Sequence, residues 1–358
     1  MKVTIIGAGK TGRGFLARLI KDEADITFID SNEELIKKLK NSSFKIDFFS
    51  NKWPSITISN FKAYSWDEIK EINADLILVS VGGTNLPAVG NELKKYIKSG
   101  QKIIVAENAS KPAKKLFDAI GIEGISIAES TVFCTTINGD GLNIQSECYP
   151  YLQYNNKSLN NVSLGLKNLK GINNFDDFLD RKLFTYNSAA CIIAYLGQLK
   201  GFTDFGAAAN DPEILSMLDK NYALVNEAMC KKYGYDKEDQ KEFALLSRNK
   251  FTDRTIIDSV ARNGREPQRK ITRNERIVGI MMLLNEYQLD TTILEKTLAG
   301  ALLFTSDSDA EWEEIKKANS YAEILTKYCE IPETNSIFNR VLKYIDNYQL
   351  CKGNIKNL

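Results

Sequence analysis

MKVTIIGAGKTGRGFLARLI, residues 1–20, is the stretch whose reading decides the fold of the N-terminal half. Val3 to Ile6 form a short β-branched run. Gly7-x-Gly9-x-x-Gly12 follows at once, and Phe15, Leu16, Leu19 and Ile20 then recur at helical spacing. A strand, a glycine-rich turn and a helix in that order are the context a dinucleotide fingerprint requires. Gly7 permits the tight turn, Gly9 lets the backbone approach a pyrophosphate, and Gly12 allows close packing of the helix. Lys10 and Thr11 lie within the turn. The helix N-terminus behind it offers unpaired N–H groups and a positive dipole end to phosphates. A second strand, Ile26 to Ile29, ends at Asp30, 18 residues beyond Gly12. An acidic residue there accepts hydrogen bonds from ribose hydroxyls and repels a 2′-phosphate. Ser31 and Asn32 follow with no arginine, so the expected cofactor is NAD rather than NADP.

Working outward, strand signals recur at 2–6, 25–30, 75–81, 102–106 and 125–129. Helical patterns lie between several of them, at 10–21, 31–40 and 86–98. This alternation predicts an α/β, Rossmann-type parallel sheet. Ligands gather beyond the carboxyl ends of the strands in such sheets. Val81, Gly82, Glu107 and Asn108 fall there, the first three as expected cofactor contacts. Residues 142–168 mix short alternation with Asn-rich turns and read as a linker with one or two strands. Beyond 173 the pattern is helical: 176–200, 211–233, 237–247, 273–287, 290–302, 309–317, 320–328 and 334–348. The division expected is a dinucleotide-binding domain over 1–168 and a mainly α-helical catalytic domain over 169–358. The tail after 350 is expected to fray.

Composition narrows the function. At 358 residues two domains are expected. Forty-seven basic and 46 acidic side chains give a formal charge of +1, which argues against nucleic acid or anionic membranes as partners. No apolar run reaches about 18 residues, so no spanning helix is expected. The N-terminal strand runs into the glycine turn and does not read as a signal peptide. Six cysteines without a CxxC pair read as reduced thiols of a cytoplasmic protein. The chain has no histidine. That removes Ser-His-Asp and Cys-His nucleophiles, His–Asp dehydrogenase pairs and zinc alcohol dehydrogenase sites, and no metal is expected. Acid–base work falls to Lys, Glu, Asp, Tyr or Cys.

Residues 182–201, KLFTYNSAACIIAYLGQLKG, supply a candidate for that work. Lys182 and Asn187 open an apolar, helix-prone run. Five residues apart, they would sit about 140° apart on an α-helix, yet both can border a pocket at a helix end. A lysine withheld from water can lose its proton near neutrality and act as a base. An asparagine amide can donate to a developing oxyanion. Arg262-x-Gly264-Arg265-x-Pro267-x-Arg269-Lys270 adds four cations within nine residues, and arginine forks suit phosphate oxygens.

Four segments resemble the polyol-specific long-chain dehydrogenases. GAGKTGRGF is similar to the family's GAGxxGRGF, and IIVAENA at 103–109 to its Ile-Ile-Ala-x-Glu-Asn strand end. The Lys182 segment resembles its Lys-Leu-Phe-Thr-x-Asn-x-x-His-Ala signature. The basic block resembles the Arg-x-Gly-Arg-x-Pro-x-Arg-Lys of its phosphorylated-polyol branch. The resemblance implies an NAD-dependent dehydrogenase that interconverts a sugar alcohol phosphate and a sugar phosphate. It makes Lys182 the general base and sets Asn187 and Asn108 to hold the reacting oxygen. It assigns substrate phosphate to Arg265 and Lys270 first, then Arg269 and Arg262. Two features depart from the family: Ala190 stands where a substrate-orienting histidine is usual, and Thr131 and Val132 replace an Asp-Arg pair. Thr131 and Ala190 are therefore expected to line the substrate pocket and to alter its fit. The readings left open are a dehydrogenase for another sugar acid or an unphosphorylated polyol, and a non-catalytic NAD-binding regulator. The expected partner is a small polyol or sugar phosphate, and the expected state a monomer or weak dimer.

Overall fold

A computed structural model describes residues 1–50, 52–305, 309–350 and Leu358. The chain forms two compact units, Met1–Phe175 and Asp176–Leu358.

Among its described residues the first unit carries twelve strands: β1 (Lys2–Ile6), β2 (Asp25–Ile29), β3 (Phe44–Phe48), β4 (Ile56–Ile58), β5 (Phe61–Tyr64), β6 (Leu76–Val79), β7 (Lys102–Val105), β8 (Ser126–Thr131), β9 (Thr136–Asn138), β10 (Ile144–Ser146), β11 (Leu152–Asn155) and β12 (Leu169–Ile172). The main sheet runs β12-β11-β8-β7-β6-β1-β2-β5. The chain leaves β1 toward β2 on one side and later returns to β6 on the other. A doubly wound sheet opens its ligand crevice at such a reversal. Leu76 to Val79 are all fully buried, as a continuous apolar strand covered on both faces must be. Helices Leu86–Leu93 and Pro112–Ile120 cover one of those faces, bringing Leu86, Leu93, Leu116 and Ile120 against Ile77, Val79, Ile103 and Val105.

Several expectations need correction. The sheet is mixed, because β11 runs antiparallel to β8. The residues between these two strands are spent on β9, β10 and their turns, with no helix to carry a parallel crossover. A second sheet, β4-β3-β10-β9, was not foreseen. Its strands are short, although Phe44, Ile46 and Phe48 alternate with Lys45 and Asp47 at the period of a strand. The helix at Pro112–Ile120 was also missed. It is bounded by Pro112 in its first turn and by Gly121 at φ +59°, both ordinary helix punctuation. The helix expected over 86–98 stops at Leu93. The division between units falls after Phe175 rather than after 168, since β12 pairs with β11.

The second unit is helical. Helices Phe175–Lys182 and Ser188–Leu199 are joined through Leu183–Asn187 without a break. Ser188–Leu199 is buried on nearly every side, as SAACIIAYLGQL requires. Ile192, Tyr195 and Leu196 meet Leu218, Val225, Met281, Leu298 and Trp312 in the same core. Helix Pro212–Tyr233 begins where the Asp211 carboxylate accepts the N–H groups of Glu213 and Ile214, and ends at Gly234, φ +70°. The helix expected over 273–287 is confined to Val278–Glu286. Five cysteines, including the fully buried Cys191 and Cys329, carry free thiols. Cys351 and most of the tail lie outside the described residues. Among the described residues no helix is long and apolar enough to cross a membrane.

The glycine turn yields a stability test. A Cβ on Gly12 would lie 2.0 Å from the Gly7 carbonyl oxygen, whereas one on Gly9 would meet nothing within 4 Å. Gly12→Ala is expected to lose about 1–3 kcal/mol of stability, the usual range for overpacking. Gly9→Ala should melt with the parent. Thermal unfolding of the two variants checks this, and equal melting temperatures would refute the packing argument.

Candidate active site

In the first unit a groove of about 1030 Å³ opens along the carboxyl ends of β1, β2 and β6. Gly7, Gly9, Lys10, Thr11, Asp30, Val81, Gly82 and Glu107, all expected cofactor contacts, line it together. Gly12 stands behind the wall, under the Gly7 carbonyl. The Asp30 carboxylate accepts the Ala8 N–H at 2.7 Å and the Asn32 N–H at 2.9 Å. It therefore fastens the glycine turn as well as facing the groove. The Glu107 carboxylate accepts the Gly82 N–H at 2.6 Å, and burial pushes its titration upward. Trp66 and Tyr96 also line the groove, their rings stacked with centroids 5.6 Å apart. Neither was anticipated, because each lies outside the fingerprint and the strand ends that guided the reading.

Asn108 is not among the groove residues. Its Nδ2 donates to the Val132 carbonyl at 2.8 Å and its Oδ1 accepts the Val132 N–H at 3.1 Å. The side chain thus ties the end of β7 to the end of β8, a duty that a strand-end asparagine does not announce in sequence. Thr131 is buried as the last residue of β8, opposite Gln153.

The second unit holds Lys182 and Asn187. Leu183–Asn187 is a π turn in which the Ser188 N–H reaches back to the Leu183 carbonyl. A π turn bonds each residue to the one five positions back. Lys182 and Asn187 therefore share a face, where α geometry would have set them about 140° apart. Ala190 lies about one turn beyond Asn187 and packs against the core. Removal from water lowers the Lys182 ammonium to about 8, and the charges of Lys250 and Arg276 push it the same way. Lys250 and Arg276 were not singled out from the sequence. The first closes a long amphipathic helix and the second lies in a run of turns, where single cations are usual.

The basic block divides. Arg262 is exposed and pairs with Asp258 at 2.5 Å. Arg269 is exposed and pairs with Glu266 at 2.7 Å. Arg265 is exposed. Lys270 alone is buried, 5% exposed, with its Nζ donating to the Asn263 carbonyl at 2.5 Å. Burial brings Lys270 down to about 8, Cys191 opposing the shift and Arg276 adding to it. Arg276 itself pairs with Glu275 at 2.8 Å. Gly264 serves packing, since a Cβ there would lie 2.3 Å from the Phe304 ring. The structure thus joins Lys270 to the surroundings of Arg276 and leaves the three arginines of the motif at the surface.

A nucleotide-sized groove beyond a doubly wound sheet in the first unit, and a half-buried lysine and asparagine at a π turn in the second, are features that an oxidoreductase of the polyol dehydrogenase class would use. Residues 174–351 match the model of the mannitol dehydrogenase C-terminal domain, and residues 3–146 match that of ketopantoate reductase PanE/ApbA. The mannitol-1-phosphate 5-dehydrogenase of Caldanaerobacter subterraneus subsp. tengcongensis is 27% identical over 345 residues, covering 87% of this chain and 88% of the relative. That of Clostridium acetobutylicum is 27% identical over 359 residues, covering 91% of each. A substrate-free D-sorbitol dehydrogenase superposes with a TM-score of 0.75 at 13% identity, covering 98% of this chain and 93% of that one. Pseudomonas fluorescens mannitol 2-dehydrogenase, in a ternary complex with NAD and D-mannitol, gives 0.61 at 11% identity, covering 99% and 92%. These two structures speak for the fold. Residues 174–351 carry the mannitol dehydrogenase C-terminal domain, and along most of its length the chain is similar to mannitol-1-phosphate 5-dehydrogenases.

The electrostatics of Lys182 can be tested without substrate. Lys250→Met removes one cation and leaves the desolvation that dominates the shift. The Lys182 titration is expected to rise from about 8 while staying below its ordinary 10.5. The pH dependence of Lys182 amine modification, followed by mass spectrometry, measures it. An unchanged midpoint would show that Lys250 is electrostatically silent there.

Proposed function

We propose that the protein transfers hydride between NAD and a sugar alcohol phosphate, with Lys182 as general base. The observation that carries this reading is Lys182, brought down to about 8 by desolvation and neighbouring cations, on the same face as the Asn187 amide. A lysine at its ordinary value would be almost fully protonated at neutral pH and a poor base. The groove of the first unit suits a dinucleotide: Gly9 faces open space, while Asp30, Glu33, Asp67 and Glu92 make its rim acidic. That rim favours NAD over NADP by repelling a 2′-phosphate. Bound NAD would supply the hydride acceptor. In the oxidative direction the neutral Lys182 amine takes the hydroxyl proton as hydride leaves the same carbon, so a ketone or aldehyde forms. Asn187 donates to the oxygen as its charge builds, without holding a proton of its own. In the reductive direction the Lys182 ammonium returns the proton.

The curated relatives are named for mannitol 1-phosphate, and Lys250, Lys270 and Arg276 give the second unit cations that a phosphate would offset. The pairing of Arg262 and Arg269 with local carboxylates favours the other reading, an unphosphorylated polyol or sugar acid. Ala190, in place of the family's histidine, leaves the substrate's identity open in the same direction.

Two experiments test these assignments. Lys182→Ala is expected to lower kcat by about 10²–10⁴-fold, the usual worth of general base catalysis, with NADH affinity kept. In the parent, kcat/KM for oxidation should climb with pH and level off near 8, while reduction should decline above it, because oxidation needs the amine and reduction the ammonium. Near-parental turnover by the variant, or a midpoint near 10.5, would overturn the base assignment. Lys270→Met should raise KM for mannitol 1-phosphate far more than for mannitol. A charge-assisted contact is worth about 1.5–3 kcal/mol, or roughly 10- to 150-fold. Equal effects on both substrates would favour the unphosphorylated reading.

A further inference from the structure

The π turn has no local cause. Leu183 to Asn187 include neither glycine nor proline, and an extra residue in a helix is rare unless something outside the helix favours it. The surrounding side chains supply the reason. Gln240, on helix Lys237–Thr252, is fully buried, and both amide atoms are engaged. Its Nε2 donates to Thr185 Oγ1 at 3.3 Å and to Asn226 Oδ1 at 2.9 Å, and its Oε1 accepts the Arg181 Nε–H at 2.7 Å. Arg181 is fixed in turn. It donates to the Asp239 carbonyl at 2.8 Å and pairs with the Asp239 carboxylate at 2.7 Å. Its guanidinium lies 4.4 Å from the Tyr235 ring centroid and 4.3 Å from that of Phe243. Thr185 is fully buried within the π turn. A single amide on a separate helix thus grips the residue just before Lys182 and a residue midway between Lys182 and Asn187.

We propose that Gln240 is a positioning residue, whose bonds to Arg181 and Thr185 hold residues 183–187 in the π register and keep Lys182 and Asn187 on one face. This rests on the reading of Lys182 as general base. The two grips fix the length of helix between them. A return to α geometry would turn Thr185 away from Gln240 and leave a buried donor unpaired, which is costly in a dry interior. The same rotation would swing Lys182 and Asn187 apart and change the lysine's contact with water. The network also involves Asn226 on helix Pro212–Tyr233, so the register of the turn is set by the packing of three helices.

Thr185→Val and Thr185→Ser in the full-length chain test the proposal. Valine matches threonine in shape and removes the hydroxyl, leaving the Gln240 bonds to Asn226 and Arg181. Thr185→Val is expected to lower kcat on the order of ten- to a hundredfold, as a misplacement near 1 Å can. NADH affinity should hold. The titration of Lys182, read by amine modification, should move up from about 8 toward 10.5. Thr185→Ser keeps the hydroxyl and should restore both values. If Thr185→Val leaves both kcat and the Lys182 midpoint at the parent values, the proposal is overturned, whether or not the melting temperature falls. The Lys182→Ala result is read separately. If that variant still turns over, the base reading fails, while the Lys182 midpoint in Thr185→Val still decides the positioning inference.

Discussion

An ammonium group withheld from water is the constraint that the second unit is arranged around. Moving a lone charge into a poorly hydrated interior is unfavourable, and the group answers by giving up its proton more readily. Lys182 and Lys270 both do so, each to about 8. Both lysines lie near Arg276, whose charge favours release of the proton. Glu275 is engaged with Arg276, and Glu266 is turned to Arg269 at the surface. The buried helix Ser188–Leu199 furnishes the apolar wall, and the long helix Lys237–Thr252 contributes both Lys250 and Gln240. A lysine in such surroundings is suited to accept a proton, in a chain that has no imidazole.

The first unit follows a simpler rule. A parallel ladder from β5 through β1 to β8 aligns the carboxyl ends of its strands. The loops that leave them must share one rim. Gly7, Asp30, Gly82 and Glu107 are neighbours for that reason. The Asp30 carboxylate, bonded to Ala8 and Asn32, and the Glu107 carboxylate, bonded to Gly82, stiffen the rim from within.

How much of this could be read from the residues depends on range. Strands β1, β2, β6, β7 and β8 were legible because each is a short apolar run closed by a turn residue, and the helical half because its apolar periodicity is long. Strands of three residues such as β4 and β9 carry too little pattern, and their pairing is set by distant partners. The fingerprint gathered its own site because strand, turn and helix are contiguous. Lys182 and Asn187 were visible as residue types but not as a geometry. Their common face depends on Gln240, 58 residues beyond Lys182, and no local pattern encodes that contact. Lys250 and Arg276 escaped for the same reason, and Arg265 was favoured over them because it sat inside a motif. The surface placement of Arg262, Arg265 and Arg269 shows that charge density along the chain is a weak guide to which cations a fold draws inward.

The two lowered lysines tie folding to acidity in an uncommon direction. A group whose folded titration lies below its unfolded value binds fewer protons when folded. For Lys182 and Lys270 that gap runs from about 8 to the ordinary 10.5. Below it both carry charge that the fold resists. Across it the unfolded chain still binds the proton while the native one has released it, so each lysine's contribution shifts toward the native state as the solution becomes more alkaline. Carboxylates that are paired in the folded state give a similar rise only at acidic pH. Near neutrality the helical unit therefore stores, in its own stability, part of the work that makes an amine available.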